Sequence, residues 1–320
     1  MEIIRDFEKI SKNDSDLAGG KGASLGEMTQ ADIPVPPGFV VLSAAFDRFL
    51  HETDLTQEID AILKTVDHNA INTVEDASEK IRGLIESREM PKDISDEIKK
   101  DFKKLDSKFV AVRSSATAED GSEHAWAGQL ESFLNTTEES LLTNVRKCWG
   151  SLFTPRAIFY RFEKGLHGTE ISVAVVVQKM IQSEVSGIAF SVHPITEDPN
   201  QLIIEAGYGL GEAIVSGSIT PDSYVVEKEL RNIIDKNISE QKKAFVKDGK
   251  DNNWVMVDKE KRNNQKLSDE KILDLSELVV KIEKHYNFPC DIEWAFEENK
   301  FYIVQSRPIT TLKNNRYANI

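Results

Sequence analysis

The chain has 320 residues, 40% of them hydrophobic and 29% charged, with 54 acidic against 40 basic side chains and a formal charge of −14. Such a composition belongs to a folded chain, long enough to bury roughly three quarters of its unfolded surface in about two domains or lobes. The acidic balance argues against a nucleic-acid partner, but it leaves nucleotides open, because a few local cations, backbone N–H groups and Mg²⁺ can hold a triphosphate on an acidic protein.

The first residues, Met1-Glu2-Ile3-Ile4-Arg5-Asp6, are too polar for a signal peptide. The longest apolar run, Val173 to Val177, is far short of a membrane span. Cys148 and Cys290 are too few and too distant for a disulfide framework or a metal cluster. These features read as a cytoplasmic protein without a membrane partner.

Residues 14–30 hold a glycine-rich turn feeding a helix, with Gly19-Gly20-Lys21-Gly22 at its start. Exposed N–H groups at a helix start attract anions, and Lys21 adds a full positive charge. The run is not the phosphate loop that closes on Gly-Lys-Ser/Thr, because Gly22 follows the lysine. A glycine-tolerant turn with an exposed lysine fits the same residues. Val35-Pro36-Pro37-Gly38-Phe39-Val40-Val41 then predicts a rigid turn into a short buried strand. Residues 44–106 read as helical throughout, with apolar residues such as Ile59, Ile62, Leu63 and Val66 at three- and four-residue spacing. They suggest a helical layer over a sheet.

Phe109 to Ser115 predicts a strand, and Arg113 near its end is a candidate to grip a phosphate. A structural salt bridge is the competing reading of that arginine. The loop that follows, around Asp120-Gly121-Ser122 and Ala127-Gly128, can fold over a triphosphate through its backbone N–H groups, with Gly128 as a candidate contact. A mostly helical stretch runs to about Lys164. The β-branched strand 171–178 leads into Gln178, Met180 and Glu184. A hinge strand between two lobes can offer adenine its backbone groups and an apolar wall, and offer the ribose hydroxyls an acid. Taken alone, Met180 reads as core.

A second lobe is expected from here, built from Gly187 to Ser191, Leu202 to Glu212, Asp222 to Val226, and a helix over 268–286. Short strands alternating with glycine turns and a late helix indicate an α+β fold. The predicted division is 1–180, with its helical segment 44–106, then 181–313, then a tail over 314–320.

The chain closes on two strands, Cys290 to Phe296 and Phe301 to Ser306, with Glu298-Asn299-Lys300 as a hairpin turn. Asp291 and Glu293 share a strand face, as do Gln305 and Arg307. A three-residue turn pairs residue 297 with 301, and so sets Glu293 opposite Gln305 and Asp291 opposite Arg307. Hard oxygens from Glu293 and Gln305 suit Mg²⁺, and the guanidinium of Arg307 suits a phosphate oxygen. A solvated polar face of an amphipathic hairpin is the alternative, and a turn of two or four residues would put Glu293 and Gln305 on opposite faces.

Taken together, LAGGKGASLGEM (17–28), VPPGFVV (35–41), AVRSSATAEDG (111–121), WAGQLESFLN (126–135), VVVQKM (175–180), EAGYGLGEAIVSGSITPDSYVV (205–226) and DIEWAFEENKFYIVQSRPIT (291–310) resemble the nucleotide-binding domain shared by phosphoenolpyruvate synthase, pyruvate phosphate dikinase and rifampin phosphotransferase. The resemblance implies an ATP-grasp fold with ATP between two lobes. It also implies phosphate contacts from Lys21, Arg113 and Ser132, Mg²⁺ on Glu293 and Gln305, and an active-site arginine at Arg307. Asp291 and Glu184 are carried over as nucleotide contacts, Glu184 on the ribose. The family reaction moves a pyrophosphoryl group from ATP to a histidine in a Gly/Thr-Ser-His-Ala setting and releases AMP. None of His51, His68, His124, His167, His193 and His285 lies in that setting. The resemblance therefore implies a phosphohistidine domain supplied in trans or by more chain. Its final acceptor is pyruvate or an antibiotic, unless the domain is a stand-alone nucleotide-binding module.

Overall fold

The computed structural model describes residues 2–117, 130–165, 171–249 and 251–312. They form two compact units, Met1–Glu27 with Pro37–Met180 and Met28–Pro36 with Ile181–Ile320. The result is a mixed helix-and-sheet architecture.

The first unit contains β1 (Ile4–Asp6), most of α1 (Ser15–Gln30), β2 (Gly38–Val41), α2 (Ser43–Glu52), α3 (Leu55–Leu63), α4 (Ile71–Ser87), α5 (Lys92–Lys104), β3 (Val110–Ala116), β4 (Ser132–Thr136), α6 (Glu138–Gly150), α7 (Pro155–Glu163) and β5 (Val173–Lys179). Its sheet runs β1-β2-β5-β3-β4, with every pair antiparallel. The central strand β5 is apolar at almost every position, and Val173 to Val177 are all fully buried, as expected of a strand covered on both faces.

The stretch expected to be helical resolves into α2, α3, α4 and α5. The buried apolar residues of α5, Ile94, Ile98 and Phe102, recur every four positions, so one stripe faces the core. Phe46 and Phe49 of α2 lie 5.6 Å and 5.0 Å from the Trp149 ring of α6. These aromatics fill the layer between helices and sheet.

The second unit contains β6 (Val185–Phe190), β7 (Gln201–Tyr208), α8 (Glu212–Val215), β8 (Asp222–Glu227), β9 (Asn232–Asn237), β10 (Lys243–Asp248), β11 (Asp251–Met256), α9 (Asp269–Tyr286), β12 (Cys290–Glu297) and β13 (Lys300–Pro308). Six strands make an antiparallel sheet in the order β13-β12-β6-β7-β8-β9, and β10 and β11 pair separately. Strands β9 to β11 go beyond the elements predicted from sequence. Their mixed charge and mostly exposed residues give no one-sided apolar alternation to read.

Helix α9 starts on Ser268, whose hydroxyl accepts from the Lys271 N–H at 3.3 Å, and stops at Asn287 in the left-handed region. A fully buried pair, Asp222 with Lys266 at 2.8 Å, pins the loop before α9 to the start of β8. Asp222 also accepts from Tyr224 Oη and from the N–H groups of Ser239 and Lys266. Both carboxylate oxygens are thereby engaged, which is what makes a buried charge tolerable. No helix among the described residues is long and apolar enough to cross a membrane.

Candidate nucleotide and metal sites

In the first unit the candidate groups meet around the β3 strand. Helix α1 is broken at Gly19, which has φ 66° and ψ 169°. A Cβ on Gly19 would stand 2.2 Å from Ser115 Oγ and 2.4 Å from the Ser115 carbonyl oxygen. Only glycine fits both the left-handed backbone and that approach. The Ser115 hydroxyl bridges the break, donating to Ala18 O at 2.9 Å and accepting from Gly22 N–H at 3.2 Å. Lys21, half-buried, thus leaves α1 where the helix is tied to β3.

Arg113 is buried on β3, opposite Ser132 of β4 and Val176 of β5. Ser132 itself is exposed. Just before it, Glu131 is held by Arg82 of α4 at 2.9 Å. The Glu131 carbonyl accepts from both the N–H and the hydroxyl of Ser114. Burial pushes the nearby Cys148 thiol up to about 12, while the charge of Lys21 pulls the other way and that of Glu131 adds to the rise. Gln178 is buried, opposite Gly38 and Ala111, and the Met180 N–H donates to Phe109 O at 3.0 Å. Gly128 and the loop around Asp120 lie outside the described residues.

In the second unit the hairpin supplies the rest. The turn is not the three-residue one expected. Glu297 pairs with Lys300, so Glu298 and Asn299 form a two-residue turn and Lys300 begins β13. Both turn residues have positive φ, 47° and 63°, the backbone of a type I′ turn, whose twist matches that of the flanking strands. Left alone, that turn would put Gln305 on the wrong face.

A β-bulge between Glu293 and Trp294 of β12, on the partner strand at Val304, corrects it. Trp294 pairs with Ile303, and Glu293 pairs with Gln305. The pairings Glu293–Gln305 and Asp291–Arg307 are thus those predicted, reached by a different route. The apolar side accounts for the difference. Phe301 and Ile303 pair with Phe296 and Trp294, and the Phe296 and Phe301 rings lie 4.7 Å apart. A three-residue turn would swap Tyr302 and Val304 into those positions.

Arg307 donates from Nε at 2.9 Å and Nη2 at 2.7 Å to the same oxygen of Asp291. Gln305 is buried, Glu293 and Asp291 are half-buried and Arg307 is exposed. Glu184, exposed, donates its own N–H to Phe296 O and accepts from the Glu298 N–H at 3.0 Å through its carboxylate. It braces the turn of the same hairpin. Among the described residues no group of three or more His, Cys, Asp or Glu is arranged to hold a metal. A Glu–Gln oxygen pair is a smaller donor set, of the kind that leaves the rest of a Mg²⁺ shell to water and phosphate.

Sequence reasoning did not single out Ser115, Arg82, Glu131 or Glu205. Glu205 of β7 lies in the cross-strand row of Glu293, one strand removed, because Ile188 of β6 pairs with both. Its carboxyl is raised above the usual range, first by burial and then by the charge of Asp291. The alternation of β7 could have flagged this lone acid among Leu202, Ile203, Ile204 and Ala206.

Comparison with known proteins identifies the family. Residues 15–320 match the family described as pyruvate phosphate dikinase, AMP/ATP-binding domain. The chain is 47% identical over 324 residues to a probable phosphoenolpyruvate synthase of Methanocaldococcus jannaschii, covering 99% of this chain and 27% of that protein. It is 48% identical over 315 residues to a probable phosphoenolpyruvate synthase of Archaeoglobus fulgidus, covering 96% of this chain and 41% of that protein. It is also 37% identical over 318 residues to the rifampicin phosphotransferase of Bacillus subtilis, covering 97% of this chain and 36% of that protein. The chain thus spans less than half the length of these relatives. With the family pattern running from residue 15 to the last, the chain belongs to the pyruvate phosphate dikinase AMP/ATP-binding domain family.

Proposed function

We propose that this domain binds ATP with Mg²⁺ and forms the nucleotide half of a dikinase-type phosphotransferase of the phosphoenolpyruvate synthase kind. The observation that carries the reading is the facing of Glu293 and Gln305 on one hairpin of an AMP/ATP-binding family domain, beside the Asp291–Arg307 pair. A carboxylate and an amide oxygen are the hard donors Mg²⁺ takes, so the residues fit the ion. When bound, Mg²⁺ neutralises charge on the phosphates.

On this reading residues 1–180 and 181–313 are the two lobes of an ATP-grasp fold, acting on one nucleotide. Lys21 and Arg113 bind phosphate oxygens, and Ser132 and the loop at Gly128 add hydrogen bonds to them. Gln178 and Met180 receive the adenine, and Glu184 the ribose. Asp291 orients the guanidinium of Arg307, leaving its remaining N–H groups for phosphate. These residues position and neutralise, which is most of what phosphoryl transfer asks of a protein.

A histidine nitrogen on a further domain then attacks the β-phosphorus. The bond from that phosphorus to the oxygen bridging the α- and β-phosphates breaks, and AMP leaves with the oxygen. Pyruvate is the acceptor suggested by the phosphoenolpyruvate synthase relatives, and an antibiotic hydroxyl is the one suggested by the rifampicin phosphotransferase.

Calorimetric titration with ATP and Mg²⁺ tests the site. Lys21→Ala and Glu293→Ala should each weaken binding by about tenfold or more. Unchanged affinity in both would remove the site. Adding a histidine domain from a phosphoenolpyruvate synthase relative and measuring AMP then tests the transfer. ATP bound with neither AMP nor phosphorylated histidine formed would instead mark a stand-alone ATP-binding module.

A further inference from the structure

A chain lacking Val304 would pair in the same way without any bulge. Upstream of it, Trp294 faces Ile303, and downstream Glu293 faces Gln305. Without Val304 the order Phe301-Tyr302-Ile303-Gln305-Ser306-Arg307 alternates regularly, and every one of those pairings is kept. The strand is also fixed on both sides of the extra residue. The Ile303 N–H donates to Pro34 O at 2.8 Å, and the Ile309 N–H to Pro289 O at 2.9 Å.

An extra residue interrupts the ladder, bends the strand and increases its local twist. Here that disturbance stands immediately before Gln305 and opposite Glu293. Edge strands use bulges to discourage pairing with other chains, and β13 is the edge of its sheet. At Ile303, however, Pro34 already covers that edge.

We propose that Val304 is a positioning residue, whose bulge aims the Gln305 amide oxygen and the Glu293 carboxylate at a shared divalent cation. The inference rests on the metal-pair reading above and adds to it the element that sets the pair's angle. Pairing brings the two side chains together, and the bulge turns one relative to the other. A ligand held by a support of this kind depends on it nearly as much as on its own identity.

The test is deletion of Val304 in the full chain, with Mn²⁺ as the probe, since it takes the same hard oxygen donors. Calorimetry measures ATP affinity at saturating Mn²⁺ and again in EDTA, and thermal denaturation measures the folded state without ligand. The expected result is an unchanged or raised midpoint, an affinity for ATP with Mn²⁺ about tenfold weaker, and no change in EDTA. Glu293→Ala is the reference: if it leaves ATP affinity with Mn²⁺ intact, the metal-pair reading fails first. If Glu293→Ala weakens binding and the deletion does not, the role of Val304 is overturned. A deletion variant that fails to fold would also overturn it, because the hairpin would then need the residue. So would one that self-associates while binding Mn²⁺ and ATP normally, because the bulge would then be edge protection alone.

Discussion

The first unit joins Lys21 on α1 to Arg113 on β3 through a serine bond that spans 93 positions of sequence, from Gly22 to Ser115. The second unit places Asp291 and Arg307 only 16 positions apart and ties them across one hairpin. The first arrangement is non-local and depends on close backbone approach. The second is local and depends on strand register. Non-local assembly fails when a single contact is overfilled, whereas a hairpin tolerates changes that respect its turn and its faces. The two regions should therefore answer differently to mutation.

The largest effect should come from Gly19→Ala. The new methyl meets Ser115 Oγ at 2.2 Å on a backbone at φ 66°, so strand and helix must separate. A loss of about 2–4 kcal/mol in denaturant unfolding is expected, with ATP affinity falling as well. A variant as stable as the parent would mean that α1 and β3 do not meet as described. Ser115→Ala is the milder version. It removes the hydroxyl that serves Ala18 O and Gly22 N–H, at a cost of about 1–3 kcal/mol. It should weaken ATP binding in EDTA, where the proposed metal pair contributes nothing. Equal losses from Ser115→Ala with and without Mn²⁺ would sharpen the contrast between the two regions, and a loss only with Mn²⁺ would break it.

The hairpin should improve when its turn is made more typical. Glu298 and Asn299 both adopt positive φ, a backbone that Asn-Gly fills with less strain. Glu298→Asn combined with Asn299→Gly should therefore raise stability by about 0.5–1 kcal/mol and leave affinity for ATP with Mn²⁺ unchanged. The Glu298 N–H donated to Glu184 belongs to the backbone and survives the change. A drop in metal-dependent affinity would show that the native turn does more than close the strands.

The same contrast explains what could be read from the sequence. The hairpin's two faces follow from alternation, whereas the expected pairings came out only because the bulge at Val304 offsets a turn read one residue too long. The turn length was not legible, because the choice between Phe301 with Ile303 and Tyr302 with Val304 for the core is settled by packing against Trp294 and Phe296. The helices α2 to α5 and the buried β5 were legible from apolar spacing. The Gly19–Ser115 junction was not, since two small residues 96 positions apart carry no periodic signal and meet only in three dimensions. Nor was the Arg82–Glu131 bridge, one ordinary charge pair among many possible ones.

Glu205 gives the smallest effect. It belongs to the sheet that carries the proposed metal pair but reached its row through the pairing of β6 with β7, not through the hairpin. Burial and Asp291 hold its carboxyl above the ordinary glutamate value of 4.5, so the folded chain keeps this proton to higher pH than the unfolded chain does. Where the folded state binds more protons, stability falls as pH rises. The penalty from Glu205 is thus absent below about 4.5, grows as pH passes from there through the folded value, and is complete above it. Glu205→Gln should be neutral in acid and stabilising at pH 7, by less than about 1 kcal/mol because the group is only half-buried. Midpoints measured across that range check the sign. A variant less stable than the parent at neutral pH would mean that Glu205 has found a cationic partner, and that the face shared by Asp291 and Glu293 is less negative than their register implies.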